Sequence, residues 1–149
     1  MAFKFRLKQV LEYRRGKEEE AKSDLARKQH QLQLARHRLH LFQREKENME
    51  DLWREQERRP VDVRELNLTW HYHQHLDRKA RQQEESCQKL KQQEEKKRQK
   101  VKSCWQRRRI MEMLEEKNWQ RYLWDLKKAE TKRNDEISLF AHYRKGGEN

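Results

Sequence analysis

One proline, Pro60, interrupts an apolar repeat that otherwise runs through almost the whole chain. From Leu7 the first series of sevens is Leu7, Arg14, Ala21, Lys28, Ala35, Phe42 and Met49. Its companion, four residues on, is Leu11, Glu18, Leu25, Leu32, Leu39, Lys46 and Trp53. Alternating steps of three and four mark a narrow stripe on one side of a helix. Held for about six heptads, they make a coiled-coil seam rather than the broad face of a globular helix. After the proline the pattern resumes as Leu76, Ala80, Gln83, Cys87, Leu90, Glu94, Lys97, Val101, Cys104, Arg108 and Met111. Beyond Met111 it slips by about one position to Trp119, Leu123, Leu126, Arg133, Ile137 and Phe140, which changes the supercoil locally.

Composition leaves little else open. Charged residues make up 43% of the 149 and hydrophobic ones 32%, whereas a compact domain draws nearly half its residues from the apolar set. Such a chain stays disordered or pairs long helices along a seam. Helix formers dominate and there are 3 glycines, so the seam wins. The predicted fold is all-α: one coiled-coil domain over residues 1–149, a long two-helix antiparallel hairpin with a C-terminal helix overhang. Helix 1 is expected over about 3–57, the turn over about 58–68, helix 2 over about 69–143, and a flexible tail over 144–149. Pro60 pushes Arg59 out of helical geometry, and Asp62, Asn67 and Thr69 are three candidate caps for helix 2.

A turn near residue 62 pairs residue i with roughly residue 124 minus i. Trp53 then meets the Trp70 region, Leu25 meets the stretch near Gln99, and the N-terminus reaches only to about Leu123. The last ~20 helical residues, on the order of 30 Å, have no partner from this chain. They nevertheless carry Leu126, Ile137, Leu139, Phe140 and Tyr143, and an apolar stripe without an internal partner points to an external one. Four polar intruders, Arg14, Glu18, Lys28 and Lys46, are expected to weaken the seam. Glu18–Lys22, Asp24–Lys28 and Glu50–Arg54 are spaced to pair one turn apart.

Both ends of the chain resemble one family. The start, Phe5-x-Leu7-x-x-Val10-Leu11-x-x-Arg14 followed by acidic residues and Ala21, is similar to the opening of the FliJ family of flagellar type III export proteins. So is the end, where Met111-Glu112-x-Leu114-Glu115 leads to Lys132-Arg133-Asn134-Asp135-Glu136-Ile137, with Asn134 standing where the family commonly has leucine. Trp70 with Leu76, and Trp105, also resemble family positions. The resemblance covers nearly the whole length and implies a stalk similar to the hairpin of a rotary ATPase central shaft. Implied partners are the flagellar export ATPase hexamer, the membrane export gate and export chaperones. By that resemblance Phe3, Phe5, Leu7, Leu123, Leu126, Arg133, Ile137 and Phe140 would meet the ATPase ring. Phe42, Lys46, Met49, Trp53, Leu76, Ala80, Gln83 and Cys87 would meet the gate, with Lys46 and Gln83 more polar than expected there. The implied location is the cytoplasm at the inner face of the plasma membrane, reached through partners alone. The equivalent stalk of a non-flagellar injectisome shares this architecture and is the alternative reading; the Phe-x-Leu-x-x-Val-Leu-x-x-Arg run favours the flagellar branch.

Other signals weigh less. Net charge is +12, and residues 96–109, KKRQKVKSCWQRRR, hold eight basic side chains and no acidic one. Basic residues around Trp105 suit phosphates, so a basic coiled coil binding nucleic acid is a further alternative, but no base-reading module is present and an acidic protein partner fits better. His71 and His75 lie one turn apart, a spacing that can share a metal, though Asp77 as third ligand falls on another face. Cys87 and Cys104, 17 residues apart on one helix, are separated by about 25 Å, too far for a bridge. Trp53 and Trp70 flank the turn and are expected to pack together. No glycine-rich phosphate loop and no nucleophile–base arrangement appears, so the chain reads as a non-enzyme without cofactors.

Overall fold

The computed structural model describes residues 3–60 and 62–146. They form two long helices, α1 over Lys8–Gln56 and α2 over Val63–Gly146, which contact each other as a helical hairpin. The predicted fold class is the observed one.

The helix ends differ from the expected bounds, for local reasons. Residues 3–7 stand outside α1: the Lys8 amide donates to the Phe5 carbonyl and the Leu11 amide to the Leu7 carbonyl. No acidic side chain sits in the first turn, and leaving the helix early turns Phe3 back onto α2. At the other end Arg58 and Arg59 donate to Glu55 and Gln56 at three-residue spacing, the tightened turn that uses up the last carbonyls. Pro60, with no amide hydrogen, follows. Helix α2 then begins six residues earlier than expected, because Asp62 is the cap that operates. Its Oδ1 accepts from the Arg64 amide at 3.1 Å, while its carbonyl accepts from the Leu66 amide at 3.0 Å. Thr69 lies inside the helix and spends its hydroxyl on the Glu65 carbonyl, 2.8 Å away. The tail expected from residue 144 is helical as far as Gly146, and 147–149 lie outside the described residues, as does Val61.

Contacts group the chain into two compact units, residues 19–103 and residues 1–18 with 104–149. In the 19–103 unit Ala21, Leu32, Ala35, Leu76 and Cys87 are buried, and Leu39 and Leu90 pack against the Leu32–Ala35–Cys87 cluster. Between these apolar layers the seam is polar and satisfied. Gln83 Nε2 donates to the Ala35 carbonyl at 3.0 Å, and buried Glu94 accepts from Gln29 at 3.3 Å and Arg98 at 2.7 Å. Lys46 meets Asp77 at 2.7 Å and Lys97 meets Asp24 at 2.9 Å, respectively one and three residues from the expected partners. Asp24 also takes Arg27, at 2.9 Å, while Lys28 donates to Gln31. Arg54 pairs with Asp51 at 3.4 Å.

In the unit of the termini, Phe5 and Leu11 are the buried apolar residues among those described, Leu11 only 2% exposed. The intruder Glu18 is 3% exposed and is paired with Arg108, which also reaches Glu112 at 2.7 Å. Arg15 and Arg109 complete this cluster on Glu112, at 3.3 and 3.5 Å. Of the four polar seam positions expected to be weak points, Glu18 and Lys46 are in cross-helix ion pairs, whereas Lys28 bonds within α1.

Candidate functional site

The terminal unit ends in an aromatic clasp. Phe3 sits edge-on to Trp119, with ring centroids 5.0 Å apart and an interplanar angle of 73°, and 5.5 Å from Tyr122. Trp119 and Tyr122 stack at 5.7 Å. Phe5 is buried at 6% exposure, whereas Leu7 is 43% exposed. From Leu123 to Arg144 every residue of α2 is exposed. Leu123, Leu126, Ile137, Phe140 and Tyr143 lie in that segment, with Phe140 at 74% and Tyr143 at 78%. Arg133 is exposed among them. Ile137, Phe140, Ala141 and Arg144 outline a shallow depression on the same helix. Lys128 Nζ lies 4.7 Å from the Trp124 ring centroid, a cation–π contact that keeps an exposed indole partly covered. Of the eight residues expected to meet a ring, five therefore fall on one exposed helical segment, and Phe3 and Phe5 secure the base from which it continues.

The residues expected to meet a gate all belong to the other unit and divide by depth. Leu76 and Cys87 are buried in the seam, where they hold the two helices together. Phe42, Met49, Trp53 and Ala80 are half-buried at its rim. Lys46 is engaged with Asp77, and Gln83 with the backbone of Ala35. The two indoles flanking the turn each take a histidine: Trp53 stacks on His73, centroids 5.4 Å apart, and Trp70 sits edge-on to His71. Both line one groove of about 560 Å³ with Gln56, Glu57, Leu66 and Asn67. Trp53 Nε1 and Gln56 Oε1 are buried there without a hydrogen-bond partner. Sequence reasoning missed Leu66 and Gln56 because the first series was ended at Met49 and the second begun at Leu76, although steps of seven from Met49 and from Ala80 reach both.

The electrostatics are those of a neutralised seam. Hydrogen bonding by Lys97 holds the Asp24 carboxyl below its ordinary range, and Lys46 does the same for Asp77. Arg98, with Gln29, lowers Glu94, and Arg108 lowers Glu112. Tyr72 is pushed up by its hydrogen bond to Glu45. Within the basic stretch 96–109, Lys97, Arg98, Arg108 and Arg109 already hold carboxylates, which leaves fewer cations for phosphates than the sequence suggests. Asp77 is shared by Lys46 and Arg81. Among the described residues no group of three or more His, Cys, Asp or Glu side chains is placed to hold a metal ion. Cys87 and Cys104 are free thiols. No helix among the described residues is long and apolar enough to cross a membrane.

No curated protein and no solved structure matches the chain. The family model described as flagellar FliJ protein matches residues 3–147. That span includes both helices, the aromatic clasp and the exposed segment beyond it, and so the chain belongs to the FliJ family of flagellar type III export stalk proteins.

Proposed function

We propose that this protein is the stalk of the flagellar export ATPase, with residues 123–140 of α2, steadied by Phe3, Phe5 and Leu7, entering the ATPase ring. The observation that carries the reading is the run of exposed Leu123, Leu126, Ile137 and Phe140 on a helical segment that no other described residue covers. Exposed apolar side chains in a repeat cost solubility unless a partner covers them. One stalk in a six-fold ring contacts its subunits unequally, and unequal contacts bias their conformational states. Arg133 and its basic neighbours would meet acidic groups on the ring wall. The protein itself supplies no catalytic group.

The turn end supports a second contact in the same reading. Phe42, Lys46, Met49, Trp53, Ala80 and Gln83, held by Leu76 and Cys87, form the rim offered to the membrane export gate. The groove between Trp53 and Trp70 widens that rim toward the turn. Export chaperones are the third class of partner, and the working location is the cytoplasm at the inner face of the membrane.

The test is ATP hydrolysis by the export ATPase of the same organism, with this protein added at one copy per six subunits. A several-fold rise that disappears when residues 134–149 are removed, and falls with Phe140→Ala, is the expected result. Stimulation unchanged by both variants would count decisively against it.

A further inference from the structure

The seam of the exposed segment is a palindrome. Leu123, Leu126, Glu130, Arg133, Ile137 and Phe140 follow one another by steps of three, four, three, four and three, so the series reads the same from either end. Laid antiparallel on a second copy about the midpoint of this run, each seam residue meets a seam residue. Leu123 faces Phe140, Leu126 faces Ile137, and Glu130 faces Arg133, each pair occurring twice by two-fold symmetry. The only charged positions in the stripe are thus set against their opposites.

The alternative orientation fails on the same residues. A parallel, in-register pair would set Glu130 against Glu130 and Arg133 against Arg133, two like-charge layers inside one short seam. Along the flanks of the antiparallel pair, Lys127 faces Asn134 and Ala129 faces Glu136, so no like charges meet. Lys127 and Lys128 come level with Glu136 and Asp135 of the second copy. Between 123 and 144 the helix carries four acidic and five basic side chains, a near balance within a chain of net charge +12. The structure leaves this surface open: Phe3 covers Trp119 and Tyr122, and exposure is continuous from Leu123. In such a pair the second copy's α2 lies antiparallel to α2, as α1 does, and continues the seam beyond Phe3.

We propose that two copies of this chain associate through antiparallel pairing of residues 123–140, so that the uncomplexed protein covers its own partner-binding stripe. Pairing and capture by another partner then compete for the same side chains. The proposal stands on the seam itself and does not need the ring assignment to hold.

Sedimentation equilibrium of the full chain under reducing conditions tests it. The seam spans about 25 Å, short enough that pairing is expected at a concentration on the order of 100 µM rather than nanomolar. The unaltered chain is expected to form dimers there, while Arg133→Glu and Glu130→Arg each raise the dissociation constant about tenfold or more. Mixing these two variants, or combining both changes in one chain, restores opposite charges in every layer and is expected to restore the dimer. Far-UV circular dichroism checks that helicity is unaltered, since both positions are exposed. A monomeric unaltered chain at this concentration overturns the proposal, as do single variants that dimerise as well as the unaltered chain. Failure of the double change to recover the dimer overturns it too.

Discussion

The two units use the same kind of residue in opposite ways. In residues 19–103 the seam leucines are consumed: Leu32 is 5% exposed and Leu76 3%, with Leu39 and Leu90 packed on their cluster. In the unit of the termini the seam closes at Leu11 and Phe5, and the stripe then continues through Ile137 and Phe140 at 65% and 74% exposure. Heptad spacing fixes which face an apolar residue occupies. Whether that residue stabilises the fold or is offered to a partner depends on whether a second helix from the same chain reaches it. For a helix of 84 residues against one of 49, the second outcome is unavoidable somewhere.

Substitutions at sealed positions should therefore cost most, in either unit. Leu32→Ala and Leu11→Ala are each expected to remove about 3 kcal/mol, by lost burial and the cavity left behind. Urea midpoints shifted downward at unchanged slope are the readout. If Leu11→Ala cost well under half of this, the terminal seam would be looser than its burial indicates and the contrast would lie elsewhere.

A smaller effect is expected at the ionic layer. Arg108→Ala leaves the carboxylate of Glu18, 3% exposed, without its cross-helix partner, at an expected cost of about 2 kcal/mol. Replacing both Glu18 and Arg108 by leucine should recover that loss, because a buried ion pair and a packed apolar pair are often close in free energy. The double-mutant cycle measures the coupling directly.

Acid should find the same network. Asp24, Asp77, Glu94 and Glu112 all have carboxyl groups held below their ordinary range by Lys or Arg. Their stabilisation is fully present above the unfolded values, near pH 4. It is lost as pH falls through the depressed folded values, when the unfolded chain binds the extra protons. The melting temperature is expected to hold from pH 7 to about 5 and to decline below about 4. Asp77→Asn should lower it at neutral pH and flatten that acid limb.

How far the sequence anticipated this follows the difference between period and partner. The three–four repeat identified Leu32, Leu39, Leu76 and Cys87 as seam residues, Pro60 located the break, and the pairing rule put Lys46 within one residue of Asp77. These are consequences of geometry common to coiled coils. The choice of Asp62 over Asn67 and Thr69 was not legible, since three capping residues stand within eight positions and only the backbone path selects one. Nor was the fate of Glu18 and Glu94. A carboxylate in a seam weakens it unless a partner reaches it: the register brings Arg108 across to Glu18 and Gln29 across to Glu94, while Arg98 holds Glu94 from one turn along the same helix. The start of α1 at Lys8 was hidden because Phe3 leaves the helix to reach Trp119, a contact made more than a hundred residues away.

The smallest effect on stability is expected where the most exposed apolar residues are, and that sharpens the comparison most. Ile137→Ser and Phe140→Ser change side chains that are 65% and 74% exposed, so each should alter stability by no more than about 0.5 kcal/mol. Stimulation of the export ATPase, in contrast, should drop several-fold. If both substitutions destabilised the chain as strongly as Leu32→Ala does, the segment would be packed in solution against something the structure does not contain. If they left both stability and stimulation unaltered, the stripe would be surface without function. Near-neutral stability with lost stimulation is the combination that separates residues holding the hairpin together from residues offered to a partner.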